Sequence, residues 1–110
     1  MECRYSYQFT CRARDDLDDI VGYIAIDLGN PPAATAFVDE LVATIDRVCC
    51  FPEIGTPVVN EFLSRSDVRR QLVKNYIMYY VPDHAARVIT VLRIVYGRRN
   101  LDEVLAEIDL

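Results

Sequence analysis

The segment Gly29-Asn30-Pro31-Pro32 restricts the fold of this chain more than any other, because it separates two helical stripes by only four residues. Before it, Leu17, Ile20, Val21, Ile24 and Leu28 recur at the spacing of one helix face. After it, Ala34, Phe37, Val38, Leu41, Ile45 and Val48 do the same. Gly29 suits the left-handed residue that closes a helix, Asn30 suits the cap of the next, and Pro31 suits its first turn. Two helices joined this tightly must lie antiparallel, so residues 15–29 and 31–49 are expected to form an αα-hairpin. Asp15, Asp16, Asp18 and Asp19 crowd the expected first turn, where carboxylates oppose the helix dipole. That reading is preferred to a divalent-metal cluster, and no metal or other cofactor is expected.

On either side of the hairpin the apolar period changes to two. Tyr5, Tyr7, Phe9 and Cys11 alternate with polar residues from Arg4 to Arg12, the pattern of a half-buried strand. Pro52 ends the second helix, and residues 51–66, with Pro52, Gly55 and Pro57, read as a loop. Val68–Val73 and Asn75–Val81 read as strands, with a turn at Pro82-Asp83-His84-Ala85. Arg87–Tyr96 is apolar on both faces, as a central strand would be. Asn100 and Glu103 have the spacing of a capping box, predicting a short helix from Leu101 to about Ile108. The order β-α-α-β-β-β-α predicts one α+β domain over residues 1–110, a mainly antiparallel sheet packed on the helical hairpin.

The chain has 110 residues, and no apolar run reaches the ~18 residues of a membrane span. With no signal-peptide pattern at the start, a soluble, cytoplasmic protein is expected. Cys3, Cys11, Cys49 and Cys50 lack zinc-site spacing and read as reduced thiols. The net charge of −5 conceals an asymmetry. Residues 1–64 carry 4 bases and 11 acids, residues 65–99 carry 8 bases and 2 acids, and residues 100–110 carry 4 acids and no base. If the bases between Arg65 and Arg99 gather on one surface, that surface is cationic despite the acidic whole. Scattered, solvated charges are the alternative. Arg93 stands in an apolar strand and needs a partner, either a ligand or an internal carboxylate such as Asp67 or a helix acid.

Several segments occur in the order of a known family. They are Arg14-Asp15-Asp16-Leu17-Asp18-Asp19-Ile20 with Tyr23, Ala33-Ala34 through Glu40-Leu41 to Ile45, and the corner Phe51-Pro52-Glu53-Ile54-Gly55. Val68-Arg69-Arg70, Asn75-Tyr76-Ile77-Met78-Tyr79-Tyr80 and Ile94-Val95-Tyr96-Gly97-Arg98-Arg99-Asn100 come after them. From about residue 4 to 105 the chain resembles the RelE/ParE superfamily, toxins of bacterial type II toxin–antitoxin systems, the ParE-like or plasmid-stabilisation type in particular. The resemblance implies a growth-inhibiting toxin neutralised by a cognate antitoxin, which is expected to lay a mostly helical segment on the last strand and its flanks.

It also implies one of two targets. RelE-type members are mRNA endoribonucleases at the ribosomal A site, and ParE-type members inhibit DNA gyrase without chemistry. A RelE-type site places an arginine after the tyrosine of its middle strand and a tyrosine in the C-terminal segment. This chain has Ile77 and Leu105 there. Arg99 matches a further arginine of that site, and Arg69, Arg70 or Lys74 could stand in for its basic pair. A ribonuclease would therefore rest on Arg70, Lys74 and Arg99, with Tyr76, Tyr79 or His84 handling a proton. The missing positions favour a gyrase-binding toxin, whose target- or antitoxin-binding candidates are Arg69, Arg93, Tyr96, Arg98 and Arg99. A degenerate toxin domain that only binds its partner is a further alternative.

Overall fold

The computed structural model describes residues 5–58 and 67–97. The predicted C-terminal helix, Leu105, Arg98 and Arg99 lie outside the described residues. Strand β1 is Ser6–Phe9, helix α1 is Cys11–Gly22, and helix α2 is Pro31–Cys50. Strands β2 (Thr56–Pro57), β3 (Arg69–Val73), β4 (Tyr76–Asp83) and β5 (Val88–Tyr96) complete the order. They make a five-stranded sheet of order β1-β5-β4-β3-β2, in which only the β1–β5 pair is parallel. The mainly antiparallel sheet, the central position of β5 and the hairpin of helices agree with the sequence reading.

The turn between the helices is built as its residues require. Gly29 has φ +62, and the Asn30 side chain accepts the Ala33 N–H at 3.2 Å. The core lies between the sheet and the helices, with Phe37, Leu41 and Val48 of α2 against Met78, Tyr80 and Ile89. The other face of the sheet is apolar as well, carrying Val68, Ile77, Tyr79, Val81, Leu92 and Val95. β5 thus contributes Ile89, Val91 and Ile94 to one cluster and Leu92 and Val95 to the other.

The start of α1 corrects the sequence reading. The period-two pattern extends to Arg12, but the strand stops at Phe9 and the helix begins at Cys11. Thr10 makes the change: its N–H continues the ladder to the Val91 carbonyl, and its hydroxyl donates to Leu92 O and accepts the Ala13 N–H. The first turn therefore contains no acid, and the four aspartates lie deeper in the helix. After Gly22 the helix widens into a π turn, Tyr23–Asp27. The extra residue rotates the end of the helix away from the core, so Ile26 and Leu28 are exposed although Leu28 belonged to the predicted stripe.

Two smaller corrections concern strands. Thr56 and Pro57, read as loop, pair with Arg70 and Arg69. β4 runs on through Pro82, which is opposite Ile89. β3 begins opposite Tyr80, so Pro82 lies where β4 has no β3 partner and a missing N–H is tolerated.

Lys74 has φ 54 in the two-residue turn between Val73 and Tyr76. A side chain is strained in this region. Lys74→Gly is expected to raise stability by about 0.5–1 kcal/mol in urea denaturation. A loss of stability would mean that the lysine side chain makes a compensating contact.

Candidate functional site

The face of the sheet away from the helices holds an open groove of about 350 Å³, lined by Thr56, Arg70, Gln71, Leu72 and Ile77. Its place is set by strand registry. Arg70 is opposite Tyr79 and Leu72 opposite Ile77, so all four side chains share that face. Ile77 is 6% exposed and forms the apolar floor, whereas Leu72 is 66% exposed and stands at the rim. Arg70 is exposed, with no ion-pair or hydrogen-bond partner among the described residues. The groove offers a cation, a hydroxyl and an amide around a hydrophobic floor. Among the described residues no cluster of three metal-ligating side chains exists.

Among the described residues, the predicted cations Arg69, Arg70, Lys74, Arg87 and Arg93 do not gather into one patch. Adjacent strand residues point to opposite faces, so Arg69 turns away from the groove. Its Nη1 donates to the carbonyls of Glu53 at 3.0 Å and Gly55 at 2.6 Å. Lys74 is exposed at the β3–β4 turn, and Arg87 at the β4–β5 turn, separated by the length of β4, roughly 25 Å. Arg93 is 3% exposed and grips Asp16 of α1 in a two-pronged bond, Nε–Oδ2 at 2.7 Å and Nη2–Oδ1 at 3.1 Å. This is the helix acid weighed as an internal partner, and the guanidinium is not offered to the surface.

The aromatic candidates are mostly structural. Tyr96 is half exposed and packs on Tyr76, which meets Phe37 edge-on. Burial pushes the Tyr76 phenol up, and nearby Tyr23 and Tyr96 add to that. Tyr79 is 1% exposed and its phenol is pushed up by burial, with Arg70 opposing. Both shifts favour the protonated phenol, which argues against either tyrosine as a general base. His84 is exposed at the β4–β5 turn, where its Nδ1 meets the Tyr5 hydroxyl at 2.7 Å and its Nε2 lies 3.6 Å from Glu53. It sits at the far end of β4 from Ile77.

The residues that shape the groove's border were not all legible beforehand. The Tyr80 hydroxyl accepts the Gly55 N–H and donates to the Pro52 carbonyl, both at 2.9 Å, and so pins the corner that leads into β2. A tyrosine inside an apolar strand was the available signal, since a buried phenol needs a polar partner. Asp16 carried no such signal among its neighbouring aspartates.

Comparison with known proteins agrees with this geometry. A family model described as the ParE toxin of type II toxin–antitoxin systems, parDE, matches residues 7–101. Among solved structures, the chromosomal ParDE TA system from P. aeruginosa is similar with a TM-score of 0.65 and 21% identity, covering 86% of this chain and 98% of that one. The toxin–antitoxin complex RelBE2 from Mycobacterium tuberculosis is similar with a TM-score of 0.58 and 22% identity, covering 84% and 96%. At these identities the likeness is one of fold. No curated protein sequence matches significantly.

Proposed function

Since this chain belongs to the ParE toxin family of type II toxin–antitoxin systems, we propose that it is held inactive by a cognate antitoxin and, when released, inhibits DNA gyrase by binding it. The observation that carries this reading is the floor of the groove. Ile77 stands where a RelE-type site would hold an arginine, and it is buried among apolar side chains of the outer face. An aliphatic side chain there cannot stabilise charge developing on a phosphodiester. Of the phenols nearest to it along the strand, Tyr79 is buried and Tyr76 partly buried, and burial raises both above the ordinary value. Arg70 is the one exposed cation that the described residues place in the groove. One cation over an apolar floor suits contact with a protein better than cleavage of RNA.

Arg98 and Arg99 continue to be the sequence-based candidates for contact with the target. The purified protein is expected to inhibit gyrase supercoiling, and Arg99→Ala to weaken inhibition about tenfold without abolishing it, as loss of one charge contact does. Codon-specific breaks in mRNA on programmed ribosomes, with supercoiling untouched, would establish the ribonuclease instead and make Arg70, Lys74 and Arg99 the residues to test. Absence of both activities in a protein that still binds its antitoxin would indicate the degenerate form.

A further inference from the structure

The solvent side of α1 and the π turn carries two adjoining ridges. Steps of four residues align Asp15, Asp19, Tyr23 and Asp27 in one, and Asp18, Gly22 and Ile26 in the other. The four aspartates are exposed, Tyr23 is half exposed, and Ile26 is 79% exposed. Gly22 is the low point between Tyr23 and Ile26. Its backbone is ordinary right-handed helix, φ −62 and ψ −43, which any residue adopts. A Cβ built on it meets nothing within 4 Å among the described residues. Glycine weakens a helix relative to alanine, and here neither the backbone angles nor packing among the described residues calls for it. The notch is room on the outside of the molecule, bordered by an aromatic ring, an aliphatic side chain and carboxylates.

We propose that this face docks a basic, amphipathic helix of a partner protein. An apolar side chain of that helix enters the notch over Gly22, between Tyr23 and Ile26, as a ridge enters a groove. Lysine or arginine one turn to either side meets Asp18, Asp19 and Asp27. Charge selects this occupant. A second copy of the chain would set aspartates against aspartates, and nucleic acid or an anionic membrane would be repelled by the same carboxylates. A patch that is both apolar and acidic is matched by a surface that is both apolar and cationic. The face belongs to the helical layer, whereas the groove lies on the other side of the sheet. The inference therefore goes beyond the contact with the target and holds for a toxin of either mechanism.

The probe is the fluorescent peptide Ac-Lys-Ala-Leu-Arg-Lys-Leu-Leu-Arg-Lys-Leu-Ala-Arg-NH2, titrated into the full chain and followed by anisotropy and by amide shifts in nuclear magnetic resonance. Saturable binding is expected with Kd on the order of 10–100 μM, with the shifts concentrated in residues 15–28. Gly22→Gln is expected to raise the melting temperature and yet weaken binding about tenfold, because it favours the helix and fills the notch. The opposite signs separate docking from folding; a fall in stability would mean that the glycine serves the fold, and the proposal would fail. Asp27→Lys, at an exposed position, is expected to weaken binding by about the same factor and to flatten its dependence on salt. A twin peptide with glutamate in place of every lysine and arginine should not bind. Equal binding of the twin, unaltered affinity in Gly22→Gln, shifts centred outside residues 15–28, self-association of the chain through this face, or binding of a DNA duplex or phosphatidylglycerol vesicles to it would each overturn the proposal.

Discussion

Asp16→Ala is expected to lower the unfolding free energy by about 3–5 kcal/mol, the loss typical when one partner of a buried ion pair is removed. The aspartate receives the Arg93 guanidinium through two bonds and also the Ile94 N–H at 3.0 Å. The last contact shows why the carboxylate is there. β1 ends opposite Val91, so beyond that point β5 has lost its strand neighbour, and α1 takes over its edge. Thr10 satisfies the Leu92 carbonyl and Asp16 the Ile94 amide. Removing the carboxylate takes an acceptor both from a guanidinium that is 3% exposed and from a main-chain N–H. In a domain of this size the melting temperature should fall by at least about 12 °C. Asp16→Leu combined with Arg93→Met should recover most of the loss, because a well-packed apolar pair needs no solvation. A loss below about 1 kcal/mol in Asp16→Ala, the range of exposed pairs, would mean that water reaches the guanidinium.

Gly55→Ala is the second large effect, expected at about 2–4 kcal/mol in thermal or urea unfolding. This glycine is needed for space and not for an unusual backbone angle. A Cβ added there would lie 2.7 Å from the Arg70 carbonyl oxygen and overlap the Tyr80 phenol. The main chain of β3 cannot yield without breaking its ladder to β4, so the corner itself must move, and with it Thr56 and the border of the groove. Tyr80→Phe leaves the space but strands the Gly55 N–H and the Pro52 carbonyl, a loss of about 1–3 kcal/mol. The two substitutions attack one device, so their effects should combine less than additively. If they add fully, the phenol and the glycine are not coupled. The same phenol makes stability sensitive to alkali. Burial pushes it above its ordinary value of 10.0, with the Gly55 N–H and Arg69 only partly opposing. The unfolded chain ionises first, so stability is whole below about pH 10 and is lost as pH rises beyond it. Tyr80→Phe should make that decline shallower.

Much of this protein was decided by short stretches of sequence. Gly29-Asn30-Pro31 closes one helix and opens the next through its own backbone preferences, and the structure has that turn with Gly29 at φ +62 and Asn30 as the cap. The stripe from Phe37 to Val48 needs an apolar surface on one side, and the two-faced run in β5 needs one on both. Each is a local pattern with one structural solution, so the α+β order was legible from them. The split of Arg69 from Arg70 was also implicit, since neighbours in a strand face opposite ways.

What only the tertiary structure decided depended on residues far apart. Thr10 fits strand periodicity as well as it fits a helix cap, and the carbonyl of Leu92, 82 residues away, settles which it becomes. Four aspartates near a helix start are alike in sequence, and Arg93, 77 residues from Asp16, distinguishes one of them. The π turn rotated Leu28 outwards against its own pattern. The groove exists because β2 is too short to cover β3, a length set by the corner that Tyr80 and Arg69 hold. Local propensities differ by well under 1 kcal/mol between such alternatives, whereas a buried hydrogen bond or ion pair left unmade costs more. The long-range partner therefore decides wherever two local readings are nearly equal.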